Sequence, residues 1–225
     1  MSIALILRIA KPIVMFRPKI LLLFFLIILS ITWLNSTGIW SYKTVRSIKL
    51  NDDAPASSTL IKLSGRAVEA KKFIGEKGFN SSFCFLIDMS ISSGQNRFFV
   101  YDLKNDSILK SGLVTHGRCN ENWLEGRKYG NTIGCGCTSL GKYRIGNNYN
   151  GRFGLAYKLF GLEKTNDKAF SRYVVLHSHS CVPEKELNED ICQSDGCPIV
   201  SRDFLQYLAP LLNDSLKPVL LWIFE

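Results

Sequence analysis

The sequence has few histidines and lacks the common nucleotide-binding motifs. Only three of its 225 residues are His, and it contains neither a P-loop nor a G-x-G-x-x-G segment. Acidic residues are in the minority, with 19 Asp and Glu against 28 Lys and Arg. However, residues 1–40 contain four of the basic residues and no acidic one, and the remaining positive excess is scattered. A protein that binds nucleic acid would concentrate this charge in a patch, so the composition does not support that function.

Long apolar runs are absent after residue 40, but one lies before it. Residues 20–40 form 21 consecutive uncharged positions, which is enough to span a bilayer. All four cations of this region precede the run, so the positive-inside rule predicts a cytoplasmic N-terminus and an exported remainder. We expect residues 1–19 to be a cationic flank and residues 20–40 a transmembrane anchor. A cleaved signal peptide is the alternative, because Ser36-Thr37-Gly38 offers small residues near its end, and a buried core helix comes third.

The expected export affects how the seven cysteines should be paired. In an oxidising compartment thiols form disulfides unless their chemistry requires a free sulfur. Three disulfides and one functional thiol would account for all seven, although the spacing does not identify the pairs.

The residues after position 40 are predicted to form a linker followed by a single domain. Residues 41–57 lack a sustained period and end in DDAPAS, as is typical of a spacer. Apolar spacing predicts a helix over residues 58–77, with Gly65 as a possible break, and another over residues 201–213. Short β-type runs separated by turn residues lie at 83–89, 97–103, 108–115, 140–145, 173–177 and 218–224. The fold class over residues 58–225 is therefore mainly β with flanking helices.

The candidate catalytic residues are concentrated in the last quarter of the chain. Alternation along an extended strand places His177, His179 and Cys181 on one face. Cys197 follows in the segment QSDGCP, where Gly196 allows the backbone to approach a reacting carbonyl closely. A thiol attacks a carbonyl as the thiolate, and a neighbouring imidazole can remove its proton. The segment therefore predicts Cys197 as a nucleophile and His177 as its base.

Two other interpretations of the same residues remain open at this point. One is a disulfide knot in which Cys181, Cys192 and Cys197 pair with one another or with the cysteines of the CGC segment. The other is a zinc site, although its spacing departs from the usual pattern of zinc ligands. The ligands of that zinc site would be Cys135, Cys137, His177, His179 and Cys181.

Five segments, in this order, resemble a known family. They are IDMSISSGQNRFFVYDL, VTHGRCNEN, TSLGKYRIGNNYNGRFGLAYKLFGLEKTND, RYVVLHSHSCV and QSDGCPIV. Together they resemble the murein L,D-transpeptidase catalytic domain family, in the YkuD-like branch with a Ser-x-Gly-Cys-Pro motif, over residues 58–225. The resemblance implies a single β-sandwich-type domain without metal or organic cofactor. It also implies that the protein acts on peptidoglycan stem peptides in the periplasm, where residues 20–40 would anchor it in the inner membrane.

The resemblance further implies a role for each residue around the thiol. Cys197 would attack a tetrapeptide stem at the carbonyl before its terminal D-Ala, and the resulting thioester would pass to an amine of a second stem. This gives a 3→3 cross-link, whereas water as acceptor would give a carboxypeptidase. The backbone carbonyl of Ser178 would orient His177. The N–H groups of Gly196 and Cys197 would form the oxyanion hole.

Substrate binding is expected of five residues on the segments that resemble the family. They are Ser194, His116, Gly117, Arg118 and Tyr143. Two positions depart from the family pattern, namely Gln193 and Asp195. An anion two residues from the thiolate raises the pKa of the thiol, so Asp195 is expected to oppose activation. An alternative function is that of a catalytically silent, disulfide-stabilised murein-binding protein.

Overall fold

The computed structural model describes residues 57–225, which form two helices and eight strands. In chain order the elements are α1 (Ser57–Lys77), β1 (Phe83–Asp88), β2 (Phe98–Asp102), β3 (Ser107–Gly112), β4 (Gly141–Gly151), β5 (Gly154–Gly161), β6 (Val175–Ser178), β7 (Ile199–Val200), α2 (Arg202–Asn213) and β8 (Leu220–Phe224). The anchor or signal segment predicted for residues 20–40 lies outside the described residues. From residue 57 onward, neither helix combines the length and the apolar character that crossing a bilayer requires.

All eight strands belong to one mixed sheet, in the order β3-β2-β1-β8-β4-β5-β6-β7. Neighbouring strands are antiparallel except for the pairs β1–β8 and β6–β7, which are parallel. An isolated antiparallel bridge between Val114 and Val200 links the segment after β3 to β7, so the two ends of the sheet meet. Residues 57–225 are therefore mainly β with two helices, as predicted. The layers are parts of a single sheet rather than two separately bonded sheets.

Helix α1 covers one face of this sheet with small and aliphatic side chains. Its four buried residues recur every three or four positions and so lie on one face of the helix. They are Leu63, Ala67, Ala70 and Ile74. They pack in one cluster with sheet residues such as Leu86, Phe99 and Trp222. The helix is continuous through Gly65 and ends at Lys77, and the φ of 72° at the following Gly78 suits the residue after a helix C-terminus.

Helix α2 closes the other face of the sheet. Ser201 caps the helix, because its Oγ accepts a hydrogen bond from the N–H of Phe204 at 3.2 Å. The buried residues Phe204, Leu205 and Leu208 then face the second core cluster. The ring of Phe204 meets Phe98 of β2 edge-on, with 5.2 Å between centroids. Since α2 follows β7 directly, this packing also fixes the strand that leads out of the QSDGCP segment.

Candidate active site

The parallel pair β6–β7 brings together the two segments that carry the candidate catalytic residues. His177 pairs with Ile199 and Ser178 with Val200. Cys197 lies two residues before β7, and the backbone N–H of Val175, the first residue of β6, donates to its Sγ with an N–S distance of 3.5 Å. Sγ also lies 3.8 Å from the carbonyl oxygen of Tyr173. The thiol therefore lies beside the strand that carries His177.

The turn before Cys197 is held by side-chain hydroxyls. Oγ of Ser194 accepts from the N–H of Gly196 at 3.1 Å and donates to the carbonyl of Cys197 at 2.8 Å. Oγ1 of Thr115 donates to the same carbonyl at 3.1 Å. Gly196 has a φ of 106°, and a Cβ at this position would lie 2.6 Å from the carbonyl oxygen of Cys137. The turn thus requires glycine directly before the thiol.

This bracing differs from what the sequence predicted for Ser194 and Gly196. Ser194 is 5% exposed and is occupied by the turn, which does not suit direct contact with a substrate. The N–H of Gly196 already donates to Ser194, so it is not free to stabilise an oxyanion in this conformation. The N–H of Cys197 makes no hydrogen bond within residues 57–225 and remains available.

His177 is held in one orientation and one tautomer. Its Nδ1 lies 3.1 Å from the carbonyl oxygen of Ser178. Because a carbonyl only accepts, Nδ1 carries the proton and Nε2 keeps the lone pair that a base needs. Burial lowers the pKa of His177, and the Ser178 carbonyl partly opposes this. The ring of Phe153 stacks on the imidazole, with 5.2 Å between centroids and 13° between planes.

No hydrogen bond joins His177 to Cys197 among residues 57–225. Catalytic hydrogen bonds are often long or open in a structure without substrate and tighten only when the substrate binds, so this does not exclude the pair. Burial raises the pKa of the Cys197 thiol, and the charge of Asp195 raises it further. The Val175 N–H and the charge of Arg172 act in the opposite direction.

Arg118 lies at the rim of this site. Its Nε donates to Oδ1 of Asp195 at 2.8 Å, and the two side chains are 42% and 73% exposed. The pair offsets part of the negative charge that Asp195 places near the thiol. Of the five residues predicted to bind substrate, Arg118 is the one whose side chain is exposed next to Cys197. Its neighbour Gly117 serves close packing, because a Cβ there would overlap the carbonyl oxygen of Gly136.

The remaining two predicted substrate-binding residues point into the core. His116 is 1% exposed, and its Nδ1 accepts from the guanidinium of Arg97 at 3.2 Å. Tyr143 is also 1% exposed, and its hydroxyl donates to the carbonyl of Ser139 at 2.6 Å. Tyr143 faces inward through the alternation of β4, whereas His116 lies in a stretch that is buried throughout, and neither position suits contact with a substrate.

The cysteines form two disulfides rather than the three predicted. Cys119 pairs with Cys137 and Cys181 with Cys192, while the other three are unpaired. These three are Cys84, Cys135 and Cys197. A disulfide knot that includes Cys197 is therefore excluded. Cys84 is unpaired and fully buried where β1 packs against α1.

The zinc-site interpretation is also wrong. Two of its five ligands, Cys137 and Cys181, are consumed by disulfides. His179 instead meets the ring of Phe153 edge-on at 5.4 Å. Over residues 57–225 there is no cluster of three or more His, Cys, Asp or Glu side chains that could hold a metal ion.

Three contributors to the site were missed by sequence reasoning. Thr115 holds the nucleophile turn, Phe153 stacks on the imidazole, and Arg172 lies near the thiol. All three occur within the segments quoted for the resemblance, but nothing in their spacing distinguishes them from neighbours.

A thiol in the turn before one strand and an imidazole on the neighbouring strand are groups from which cysteine acyl-transfer sites are built. Comparison with known families agrees with this class. The family model for the L,D-transpeptidase catalytic domain matches residues 57–221, and the chain belongs to this family. No curated protein matches the chain. The domain is therefore that of an acyltransferase family whose members act on peptidoglycan.

Proposed function

We propose that this protein is a cysteine-dependent L,D-transpeptidase that forms 3→3 cross-links in peptidoglycan through a thioester on Cys197. The observation that carries the proposal is the position of an unpaired thiol beside the strand of a preoriented histidine. Sγ of Cys197 accepts from Val175 at 3.5 Å, and Val175 lies two residues before His177 on β6. The family assignment supplies the substrate class.

In the first half-reaction, His177 accepts the proton of Cys197 on Nε2, and the thiolate attacks the carbonyl carbon of the third stem residue. The C–N bond to D-Ala then breaks, and the amine of D-Ala leaves with the proton returned by His177. The stem remains on Cys197 as a thioester. The N–H of Cys197 is the donor available to the oxyanion, and Gly196 joins it if Ser194 releases its N–H.

In the second half-reaction, a side-chain amine of a neighbouring stem attacks the thioester carbonyl. His177 takes the proton of this amine, and the Cys197 thiol is restored as the C–S bond breaks. The product is a 3→3 cross-linked dimer. With water as the acceptor, the product is a free tripeptide stem, which would define a carboxypeptidase.

The proposed location is the periplasmic side of the inner membrane, with residues 20–40 as the anchor. Two disulfides in the catalytic domain support an oxidising compartment, where such bonds form and persist. Peptidoglycan lies in that compartment, so a tethered domain would reach its substrate.

The reaction is tested by incubating the full-length protein with tetrapeptide-stem muropeptides and analysing the products by mass spectrometry. We expect release of D-Ala together with 3→3 dimers, and a loss of about 10⁴-fold or more in the Cys197→Ala variant. Cys135→Ala is the matched control, since it removes another unpaired cysteine and should retain the activity. Undiminished D-Ala release by Cys197→Ala would refute the mechanism, and tripeptides without dimers would identify water as the acceptor.

A further inference from the structure

We propose that Arg172 is a positioning residue for the nucleophile, which braces the turn before Cys197 and places a positive charge without an acidic partner against that turn. This inference rests on the proposed function only in taking Cys197 as the nucleophile. Arg172 lies on the connection between β5 and β6, five residues before His177. It therefore links the approach to the base with the turn of the nucleophile.

The guanidinium of Arg172 joins separate points of one loop. Its Nη1 donates to the carbonyl of Gly130 at 3.0 Å and to Oγ of Ser139, and its Nη2 donates to the carbonyl of Cys137. Oγ of Ser139 also donates to the carbonyl of Gly130 at 2.7 Å, which closes the network. The planar fork of Arg suits several acceptors at once, which a lysine ammonium on its flexible stem does not reproduce.

The same guanidinium packs against the nucleophile turn. A Cβ at Gly196 would lie 3.1 Å from Nη2 of Arg172 and 2.6 Å from the carbonyl oxygen of Cys137. The hydrogen-bonded pair of Arg172 and the Cys137 carbonyl therefore occupies the space beside Gly196. Displacing either group would release the turn that presents Cys197.

The charge of Arg172 is available to the thiol. All of its acceptors are neutral, and no carboxylate within residues 57–225 forms an ion pair with it. Arg118, in contrast, is paired with Asp195 at 2.8 Å. The charge of Arg172 lowers the pKa of Cys197, against the effects of burial and of Asp195. The two arginines thus have different tasks, since Arg118 compensates an acid and Arg172 favours the thiolate.

A purely structural arginine would affect stability but not the ionisation of the thiol, and this difference provides the test. In the full-length protein, the rate of alkylation of Cys197 by iodoacetamide is followed from pH 6 to 11.5 by peptide mass spectrometry. Arg172→Gln removes the charge but keeps amide donors, and we expect its alkylation midpoint to rise by about one pH unit. The rate near pH 7 then falls roughly tenfold. Arg202→Gln, an exposed arginine at the start of α2, is the control and should match the wild type.

Arg172→Lys separates charge from geometry. It should keep the alkylation midpoint close to that of the wild type, while kcat/KM for D-Ala release falls because the fork to three acceptors is lost. An unchanged midpoint in Arg172→Gln would overturn the proposal. If thermal melting shows that Arg172→Gln does not fold, Arg172→Lys decides, because a rise of about one unit with the charge retained would also overturn it. Alkylation requires no turnover, so failure of the transpeptidase assay is distinguishable from failure of this inference.

Discussion

Phe153 stands at the tip of the hairpin between β4 and β5, where it is 51% exposed. Its ring lies flat on His177, and the guanidinium of Arg152 also lies over the ring, 5.5 Å from its centroid. Such a contact limits rotation of the imidazole and so preserves the hydrogen bond between Nδ1 and Ser178. Because the side chain of Phe153 is half exposed, it contributes little to the core. We expect its main effect to be on the orientation of His177.

Replacing Phe153 by Ala should lower kcat/KM for D-Ala release several-fold while destabilising the domain by only about 1 kcal/mol. The measurements are steady-state kinetics and thermal unfolding. Phe170→Ala is a closely matched control, because Phe170 is 50% exposed and stacks on Phe160 at 4.8 Å with 12° between planes. It should cost a similar amount of stability and leave kcat/KM unchanged. Equal kinetics for both variants would show that the stacking on His177 has no orienting role.

The candidate nucleophile and its candidate base stand out in the sequence, whereas the residues that the structure places around them do not. Cys197 and His177 belong to segments whose residue types indicate chemistry by themselves. Thr115 lies far from Cys197 in the sequence, and it reaches the carbonyl of Cys197 only because the ends of the sheet meet. Arg172 differs in no sequence property from a solvated surface arginine. Contacts of this kind depend on the tertiary fold and leave no periodic signal.

At the scale of elements, the loop between β6 and β7 is fastened to the loop between β1 and β2. The N–H of Leu187 donates to the carbonyl of Gly94 at 2.7 Å, and Oδ1 of Asp190 accepts from the backbone N–H of Ser93 at 3.0 Å. The hydroxyl of Ser93 lowers the pKa of Asp190 to about 2, although partial burial opposes this shift. The Cys181–Cys192 disulfide closes this loop, whereas the Cys119–Cys137 disulfide belongs to the loop that touches Gly196.

Removing the two disulfides should therefore have different functional effects. Replacing both Cys181 and Cys192 by Ala should lower the free energy of unfolding by about 3 kcal/mol, because a loop of this length is no longer constrained in the unfolded chain. The alkylation rate of Cys197 should be unchanged. Replacing Cys119 and Cys137 should cost a similar amount of stability and also slow alkylation. Denaturant unfolding and peptide mass spectrometry provide the two readouts, and the reverse assignment of the slow alkylation would contradict this division.

The helices and six of the strands could be predicted from apolar spacing, but the hairpin and the short strand of the site could not. Strand β4 continues to Gly151 through exposed residues that show no alternation of burial, and β5 begins and ends in glycine. Glycine-rich sequence is typical of turns, so the sequence beyond residue 145 does not indicate a strand. Strand β7 is only two residues long, which is too short for any periodicity. It is stabilised by pairing with β6, about twenty residues earlier in the chain.

Across the whole molecule, His116 couples the stability of the domain to pH. Burial is the main cause that lowers its pKa to about 4, and the charges of Arg97 and Arg127 add to it. In the unfolded chain the same imidazole titrates near its ordinary pKa of about 6.5. Below that pH the unfolded state binds a proton that the folded state does not bind until the pH nears 4. The contribution of His116 to stability is therefore fully present above about pH 6.5, and it is lost as the pH falls towards 4.

Between pH 7 and pH 4.5 this group should cost about 2 kcal/mol of unfolding free energy. Urea unfolding at the two pH values measures the loss, and His116→Gln should remove most of it. An equal pH dependence in the wild type and in His116→Gln would exclude His116 as its source.

Strand β8 lies at the centre of the sheet, between β1 and β4, and provides the hydrogen bonds that connect the two halves of the strand order. Its parallel partner β1 comes from the opposite end of the domain, with Phe85 opposite Leu221. Loop closure over such a separation is costly in chain entropy, and folds dominated by distant pairings form slowly. Until β8 is in place, β1 and β4 each lack the strand that lies between them in the sheet. Because β1 and β4 both precede β8 in the chain, the sheet is complete only when β8 has paired with both of them.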